Sequence, residues 1–153
     1  MKEANVLTAV VAVLSTLAGS LLTGTFQHLN QRSQRIAAEA AARRTDAMSA
    51  VTDLATALAG HRRAMWVRED LRLKREDWAE ERAASHITRS AITDPLVRVR
   101  ILLPSLAQPA QRAVTAVYAL RSAQSDTALR EAREHAIRTA DDFITAAGTA
   151  LAA

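Results

Sequence analysis

The chain has 153 residues, which is enough for one domain and at most one appendage. Cysteine is absent, so disulfide frameworks and thiolate metal sites are excluded, and the formal net charge is only +4. With four glycines, three prolines and many strong helix formers, the composition favours an all-α protein.

The first predicted element is an uncharged stretch from Asn5 to Phe26, with the sequence NVLTAVVAVLSTLAGSLLTGTF. As an α-helix it would be about 33 Å long, against a hydrocarbon core of about 30 Å. The stretch is longer than the apolar region of a secretory signal, and it lacks the polar face of a buried soluble helix. We therefore predict that residues 1–26 form a transmembrane anchor.

One face of the predicted anchor carries small side chains at a spacing of four residues. Small residues allow two helix backbones to approach closely in lipid, where packing and interhelical hydrogen bonds drive association. We therefore predict that the protein is a homo-oligomer. The predicted helix-association face consists of Ala12, Thr16, Ser20 and Gly24.

Residues 27–46 are predicted to form a basic helical stalk. Residues 27–75 hold ten Arg and Lys against five Asp and Glu, so the basic excess of the chain follows the apolar stretch. Basic residues beside a span contact anionic lipid heads and stay in the cytoplasm, which predicts a cell-membrane protein with its N-terminus outside. Interleaved acidic residues and the lack of neighbouring aromatics disfavour nucleic acid as a partner. The predicted lipid-facing residues are Arg32, Arg35, Arg43 and Arg44.

Residues 47–153 are predicted to form a cytoplasmic helical bundle. A stripe of inward residues begins at Ala47 and recurs at a helical spacing as far as Met65, so the first helix is expected to continue to about Arg75. The stripe consists of Ala47, Val51, Leu54, Leu58, His61 and Met65.

The later helices of the bundle are separated by prolines and a polar turn. A helix restarts near Asp77, and Asp94 with Pro95 indicates a cap and a first-position proline that breaks or kinks it. The following residues alternate like a strand, but no partner strand exists, so we predict a helix there. With Ala110–Ala123 and Thr127–Leu151 as the last two helices, the domain is predicted to be an antiparallel four-helix bundle.

The residues that most often carry catalysis or bind metals are scattered along the chain. The four histidines do not stand at metal-binding spacings, and the sequence contains neither a glycine-rich phosphate loop nor a nucleophile elbow. We therefore predict a protein that is not an enzyme and has no cofactor and no metal site.

Cationic and aromatic residues are concentrated in the segment GHRRAMWVRED and in the helix that follows it. They form either a polar layer that fixes the register of the bundle or a surface that binds a partner protein or lipid. A buried layer would need carboxylates, and the candidates are Asp53, Glu69, Asp70, Glu81 and Asp94. The predicted layer or partner surface consists of His61, Arg62, Trp66, Arg68, Trp78, Arg82 and Arg89.

An N-terminal span and an Arg-rich stalk precede the segments TDLATALAGHRRAMW, SHITRSAITDPLVRVRILL and AVYALRSAQSDTALREAREHA. In this combination the chain resembles the KilB-like proteins of Streptomyces plasmids. The resemblance implies a membrane-associated, non-enzymatic protein that acts in conjugative plasmid transfer or in plasmid spread between mycelial compartments. It implies no defined site residues.

The predicted function is that of a single-pass membrane protein that self-associates and docks an unidentified protein of the plasmid transfer machinery. Two alternatives remain open from the residues alone. The first is a membrane-perturbing toxin or effector that acts when it oligomerises. The second is a membrane tether for DNA, which would bind duplexes with a steep dependence on salt.

Overall fold

Helices occupy nearly all of the chain in this computed structural model, which describes the backbone from Lys2 to Ala152 and the side chains of residues 31–121 and 123–152. This part of the chain contains five α-helices, two short 3₁₀ turns and no strand, so the all-α prediction is confirmed. The helices are α1 (Lys2–Lys74), α2 (Ala79–Ser90), α3 (Thr93–Leu102), α4 (Ala107–Ala119) and α5 (Asp126–Ala152). The 3₁₀ turns are Pro104–Leu106 and Leu120–Ser122.

The chain divides into two compact units, Met1–Ala42 and Arg43–Ala153. In the first unit, every side chain from residue 31 to residue 42 is exposed. In the second unit, the first buried side chain is Ala47. The predicted domain boundaries after residues 26 and 46 stay predictions.

The predicted transmembrane anchor, residues 1–26, lies outside the residues whose side chains the structure describes. So does its predicted association face of Ala12, Thr16, Ser20 and Gly24. In the part of the chain that is described, no helix combines the length and the apolar character needed to cross a membrane.

The inward stripe of α1 is buried as its spacing predicts. Leu54 and Leu58 are fully buried, and Ala47, Val51, His61 and Met65 are each at most 9% exposed. Residues spaced by three or four positions lie on one face of a helix, so this stripe meets the other helices while the intervening residues face solvent. Val51, Leu54, Leu58 and Met65 of the stripe belong to one core with residues of α3, α4 and α5. The largest fully buried side chain of that core is Phe143.

Side-chain contacts show that α2 and α3 run antiparallel to α1. Arg98 of α3 forms an ion pair with Asp53 near the start of the buried part of α1, at 2.8 Å between Nη1 and Oδ2. Arg68, much later in α1, donates to the hydroxyl of Ser85 in α2 at 3.3 Å. Because the later residue of one segment meets the earlier residue of the other, the two directions are opposite.

Helices α4 and α5 complete the arrangement. Trp66 near the end of α1 contacts Arg133 in the first half of α5. Arg44, much earlier in α1, donates a hydrogen bond to the carbonyl of Leu151 near the end of α5. These two helices are therefore antiparallel as well. Arg100 of α3 donates to the side chain of Gln111 at the start of α4. Counting α2 and α3 as one interrupted helix, the unit is the predicted antiparallel four-helix bundle.

The interruption between α2 and α3 does not occur where Asp94 and Pro95 predict it. Helix α2 ends at Ser90 and α3 begins at Thr93, so the predicted cap at Asp94 is wrong. Pro95 lies buried inside the first turn of α3. A proline is tolerated there because the N–H groups of the first turn have no partner four residues earlier. The helix predicted after Pro95, instead of a strand, is confirmed.

Helix α1 ends in a left-handed residue, Arg75, with φ of 62°. The N–H of Glu76 donates to the carbonyl of Leu71 at 3.0 Å, and the N–H of Arg75 donates to the carbonyl of Arg72 at 3.2 Å. The six-to-one bond from Glu76 is that of a Schellman motif, which normally places glycine at this position. The predicted end of the helix near Arg75 is therefore confirmed.

The last two helices begin earlier than their prolines and polar turn suggest. Helix α4 starts at Ala107, three residues before the predicted start, because a 3₁₀ turn at Pro104–Leu106 leads directly into it and Pro109 fits its first turn. Helix α5 starts at Asp126, where the hydroxyl of Ser125 accepts the N–H of Ala128 at 3.1 Å. This bond makes Ser125 the N-cap of α5.

Candidate functional site

The seven residues predicted as one layer fall into two places in the bundle. His61 and Arg68 lie on the same face of α1, which faces α2. Arg62 and Trp66 lie on the neighbouring face of α1, which faces α5. The first place, where α1 meets α2 and α4, contains His61, Arg68, Trp78, Arg82 and Arg89. The second place, where α1 meets α5, contains Arg62 and Trp66. The segment from His61 to Asp70 is therefore neither wholly core nor wholly surface, since His61 and Glu69 are buried and Arg63 and Val67 are exposed.

Glu69 is the carboxylate that joins the predicted layer. Its side chain is fully buried, it accepts a hydrogen bond from Nε of Arg72, and its Oε1 lies 3.4 Å from Nε of Arg68. Arg72 also donates to the carbonyl of Ala123, in the connection between α4 and α5. A buried charge requires such partners, because removing one of them leaves an uncompensated charge in the interior.

The other carboxylates suggested by the sequence lie elsewhere. Asp53 pairs with Arg98, and Asp70 pairs with Lys74 at 2.7 Å, so both are bound to cations outside the layer. Glu81 and Asp94 form no ion pair with any residue of the described part. The cations of the layer therefore outnumber their acidic partners.

His61 is held in a defined orientation in the interior. Its Nδ1 lies 2.9 Å from the hydroxyl of Thr88, and its ring contacts Tyr118 edge-on at 5.5 Å between centroids. The Thr88 hydroxyl also lies 3.2 Å from the carbonyl oxygens of Ala84 and Ser85, so it joins His61 to the backbone of α2. Burial, together with the nearby positive charges of Arg89 and Arg68, lowers the pKa of His61 to about 4. His61 is therefore neutral at pH 7.

The arginines around His61 are placed by aromatic rings. Arg68 and Arg82 both lie over the ring of Trp78, with 5.3 and 5.8 Å from the guanidinium carbon to the ring centroid. Arg89 lies over the ring of Tyr118 at 4.6 Å. These are cation–π contacts, as expected for arginines stacked on aromatic side chains. They orient three guanidinium groups towards one region of the bundle.

Burial lowers the pKa of the Arg68 guanidinium. The carboxylate of Glu69 opposes this effect, and the positive charges of Arg121, Arg82 and Arg72 add to it. Arginine keeps its charge at neutral pH because its ordinary pKa lies far above 7. The region is consequently a concentration of positive charge that is only partly compensated.

These residues line a partly open cavity of about 60 Å³, here called the cationic cavity. It has room for about two water molecules. No acidic side chain lines it. Its lining residues are His61, Met65, Arg68, Arg82, Ser85, His86, Arg89, Tyr118 and Arg121.

Four lining residues were absent from the predicted layer and the inward stripe, namely Ser85, His86, Tyr118 and Arg121. Tyr118 belongs to the last turn of α4, and Arg121 to the 3₁₀ turn that follows it. Nothing in the local pattern distinguishes Arg121 from other exposed arginines, because its position beside Arg68 depends on how α4 packs against α1. The edge contact of Tyr118 with His61 has the same origin.

The second place is a shallow groove between α1 and α5, here called the basic groove. It has a volume of about 480 Å³ and no acidic lining residue. The guanidinium carbon of Arg133 lies 4.9 Å from the centroid of the Trp66 ring. The sequence-based set included Arg62 and Trp66 but missed Arg133, which belongs to another helix. The groove is lined by Ala59, Arg62, Arg63, Trp66, Val67 and Arg133.

The predicted lipid-facing arginines Arg32, Arg35, Arg43 and Arg44 are all exposed. Arg44 additionally donates a hydrogen bond to the carbonyl of Leu151 near the end of α5. Among the side chains of residues 31–121 and 123–152, no group of three His, Asp or Glu residues is placed to hold a metal ion.

Comparison with known proteins identifies relatives of the chain. The family model of the KilB plasmid transfer protein matches residues 48–151, which include nearly the whole helical bundle. The chain is also similar to Protein KilB of Streptomyces lividans, with 46% identity over 143 residues that cover 92% of this chain and 95% of the relative. No solved structure matches the chain.

Proposed function

The chain belongs to the KilB family of plasmid transfer proteins, and from this premise we propose that it acts in plasmid transfer as a non-enzymatic partner of the transfer machinery. The observation that carries the proposal is the extent of the family match. The family model covers residues 48–151, so nearly the whole bundle belongs to the part of the protein that the family shares. The function is accordingly assigned to surfaces of the bundle.

The basic groove is the surface that we assign to docking. It presents Arg62, Arg63 and Arg133 around the half-buried ring of Trp66 and the exposed side chain of Val67, with no acidic residue in its lining. Aromatic and arginine side chains are the residue types that most often anchor protein interfaces. Charge complementarity favours an acidic segment with an apolar side chain, from a protein of the transfer machinery.

Membrane attachment is the second part of the proposal. The uncharged stretch of residues 5–26 supports a single-pass anchor, and the arginines of the stalk support an orientation with the bundle in the cytoplasm. The small residues at positions 12, 16, 20 and 24 support self-association in the membrane. In this proposal the anchor holds the bundle at the membrane where the transfer machinery assembles.

Charge reversal in the basic groove tests the docking role. The native gene is replaced by a double variant, Arg63→Glu with Arg133→Glu, and plasmid transfer to recipient mycelium is counted. We expect transfer to fall at least about tenfold, because an acidic partner would be repelled where it was attracted. Both residues are exposed, so the fold should be preserved.

The matched control is Arg112→Glu, a reversal at an exposed position of α4 outside the basic groove. It should leave transfer unchanged, and immunoblots should show equal amounts of all variants. Normal transfer by the double variant would contradict docking at the groove. Normal transfer after deletion of the gene would contradict the role in plasmid transfer itself.

A further inference from the structure

The cationic cavity has a charge balance that the proposed docking function does not explain. Arg68 comes from α1, Arg82 and Arg89 from α2, and Arg121 from the turn after α4, so four guanidinium groups surround a space of about 60 Å³. The two histidines that also line the cavity add no negative charge. Four like charges this close together repel one another unless an anion lies between them.

Glu69 compensates the charge of this cluster only in part, through Arg68. Its side chain is fully buried and is not part of the cavity lining. It accepts its hydrogen bond from Arg72, which lies outside the cavity. Its contact with Arg68 joins Oε1 of Glu69 to Nε of Arg68. With Arg72 included, five arginines share one buried carboxylate in this end of the bundle.

Donor groups on the cavity side of these arginines are available for a ligand. The guanidinium carbons of Arg82 and Arg89 lie over the rings of Trp78 and Tyr118, and a cation–π contact does not require an N–H hydrogen bond. Within the described part of the chain, the side chains of Arg82, Arg89 and Arg121 form no salt bridge. The ring contacts hold the donors in place before a ligand arrives, which reduces the entropy lost on binding.

We propose that the cationic cavity is a binding site for one small tetrahedral oxyanion, of the phosphate or phosphate-monoester class, held by Arg68, Arg82, Arg89 and Arg121. The guanidinium fork matches the oxygen geometry of a phosphate, and each such hydrogen bond is strengthened by charge. The small volume fits a single phosphate group and is too small to enclose a nucleotide. The site is independent of the basic groove, so it stands whether or not the groove docks a partner.

Binding is tested with inorganic phosphate and the full chain in a nonionic detergent. Trp66→Phe leaves Trp78 as the sole tryptophan, and Trp78 fluorescence reports on the cavity because two of its arginines contact that ring. We expect saturable binding of one phosphate per chain at pH 7.5, compared with chloride at equal ionic strength. Isothermal calorimetry on the unaltered chain gives the stoichiometry.

Two variants at the exposed rim test the residues. Arg89→Gln and Arg121→Gln should each weaken phosphate binding at least about tenfold, because a hydrogen bond to a charged group is lost. Arg112→Gln removes the same charge from α4 outside the cavity and should leave the affinity unchanged. Far-ultraviolet circular dichroism and the melting temperature without phosphate verify that each variant is folded.

The source of the phosphate group is distinguished with a short-chain, water-soluble phosphatidic acid. Tighter binding of this lipid than of inorganic phosphate, lost in Arg121→Gln, assigns the site to a lipid headgroup. Equal or weaker binding assigns it to free phosphate. The proposal is overturned if phosphate has no greater effect than chloride, or if Arg112→Gln weakens binding as much as Arg121→Gln does.

Discussion

His61 is a buried histidine whose surroundings determine its protonation. Only 2% of its surface is exposed, and its Nδ1 is hydrogen-bonded to the hydroxyl of Thr88 next to the positive charges of Arg68 and Arg89. The sequence placed His61 in the inward stripe of α1, and that placement is confirmed. Its neutral state could not be predicted, because the arginine of α2 is 28 positions away along the chain.

The lowered pKa of His61 predicts a dependence of stability on pH. The unfolded chain takes up a proton near the ordinary value of 6.5, whereas the folded chain does so only near pH 4. The contribution to stability is therefore complete above pH 6.5 and is lost as the pH falls towards 4. Between pH 7.5 and 4.5 the free energy of unfolding should lose up to about 3 kcal/mol through this residue.

The measurement is urea unfolding of the wild type and His61→Gln at both pH values. The stability advantage of the wild type at pH 7.5 should shrink or vanish at pH 4.5. His135→Gln, at an exposed histidine of α5, provides the control and should follow the wild type. Parallel pH profiles for the wild type and His61→Gln would show that His61 does not titrate as described.

Glu69 is a second residue whose role depends on contacts with distant parts of the chain. The sequence offered five carboxylates as partners for the cations of α1 and α2, and spacing could not select among them. The packing of α1 against the connection between α4 and α5 buries Glu69 beside Arg72 and excludes the other four from the layer. Burial against distant segments made the choice.

At the scale of elements, local signals placed the helices well and their ends less well. The spacing of apolar residues predicted the end of α1, and the lack of a partner strand predicted a helix over α3; the structure confirms both. Asp94 and Pro95 gave the wrong boundary, because a proline is accepted anywhere in a first helical turn. The positions of the first turn accept proline at similar energy, so proline does not decide where α3 begins. The packing of Ile92 and Val99 into the core decides it.

The end of α1 carries a prediction at this scale. Arg75 has φ of 62°, a conformation that costs an L-residue about 1 kcal/mol or more and costs glycine little. We expect Arg75→Gly to raise the free energy of unfolding by about 0.5–1 kcal/mol, measured by thermal or urea denaturation. Arg75→Ala removes the same side chain without relieving the backbone. An equal effect of both substitutions would trace the gain to the lost charge instead.

At the scale of the whole molecule, the bundle can be understood from its contacts, whereas the membrane role depends on the N-terminal sequence. The core that joins α1, α3, α4 and α5 accounts for the compact unit Arg43–Ala153. The proposed anchor and its small-residue face are supported by length and composition alone. A direct test of that part is therefore separate from any test of the bundle.

Substitutions in the proposed anchor should abolish self-association without releasing the protein from the membrane. Ser20→Leu with Gly24→Leu should remove the signal in a membrane two-hybrid assay, because the larger side chains prevent close helix approach. Ala18→Leu lies about 200° around the helix from Thr16 and should have no effect. Full recovery in carbonate-washed membranes is expected for all variants. An unchanged two-hybrid signal would contradict the association face.

The same variants distinguish the alternative of a membrane-perturbing effector. If expression caused dye leakage that required Ser20 and Gly24, the effector would be favoured over the docking role. Intact membranes agree with the proposed docking function.

The sequence by itself determined the helical class, the inward stripe of α1 and the approximate extent of each helix. These features depend on interactions between residues a few positions apart, and such interactions are written in the spacing of side chains. Only the tertiary structure decided that the predicted layer divides into a cationic cavity and a basic groove. Arg121, Tyr118 and Arg133 reach these sites from distant parts of the chain, and their positions follow from helix packing, which no local pattern encodes.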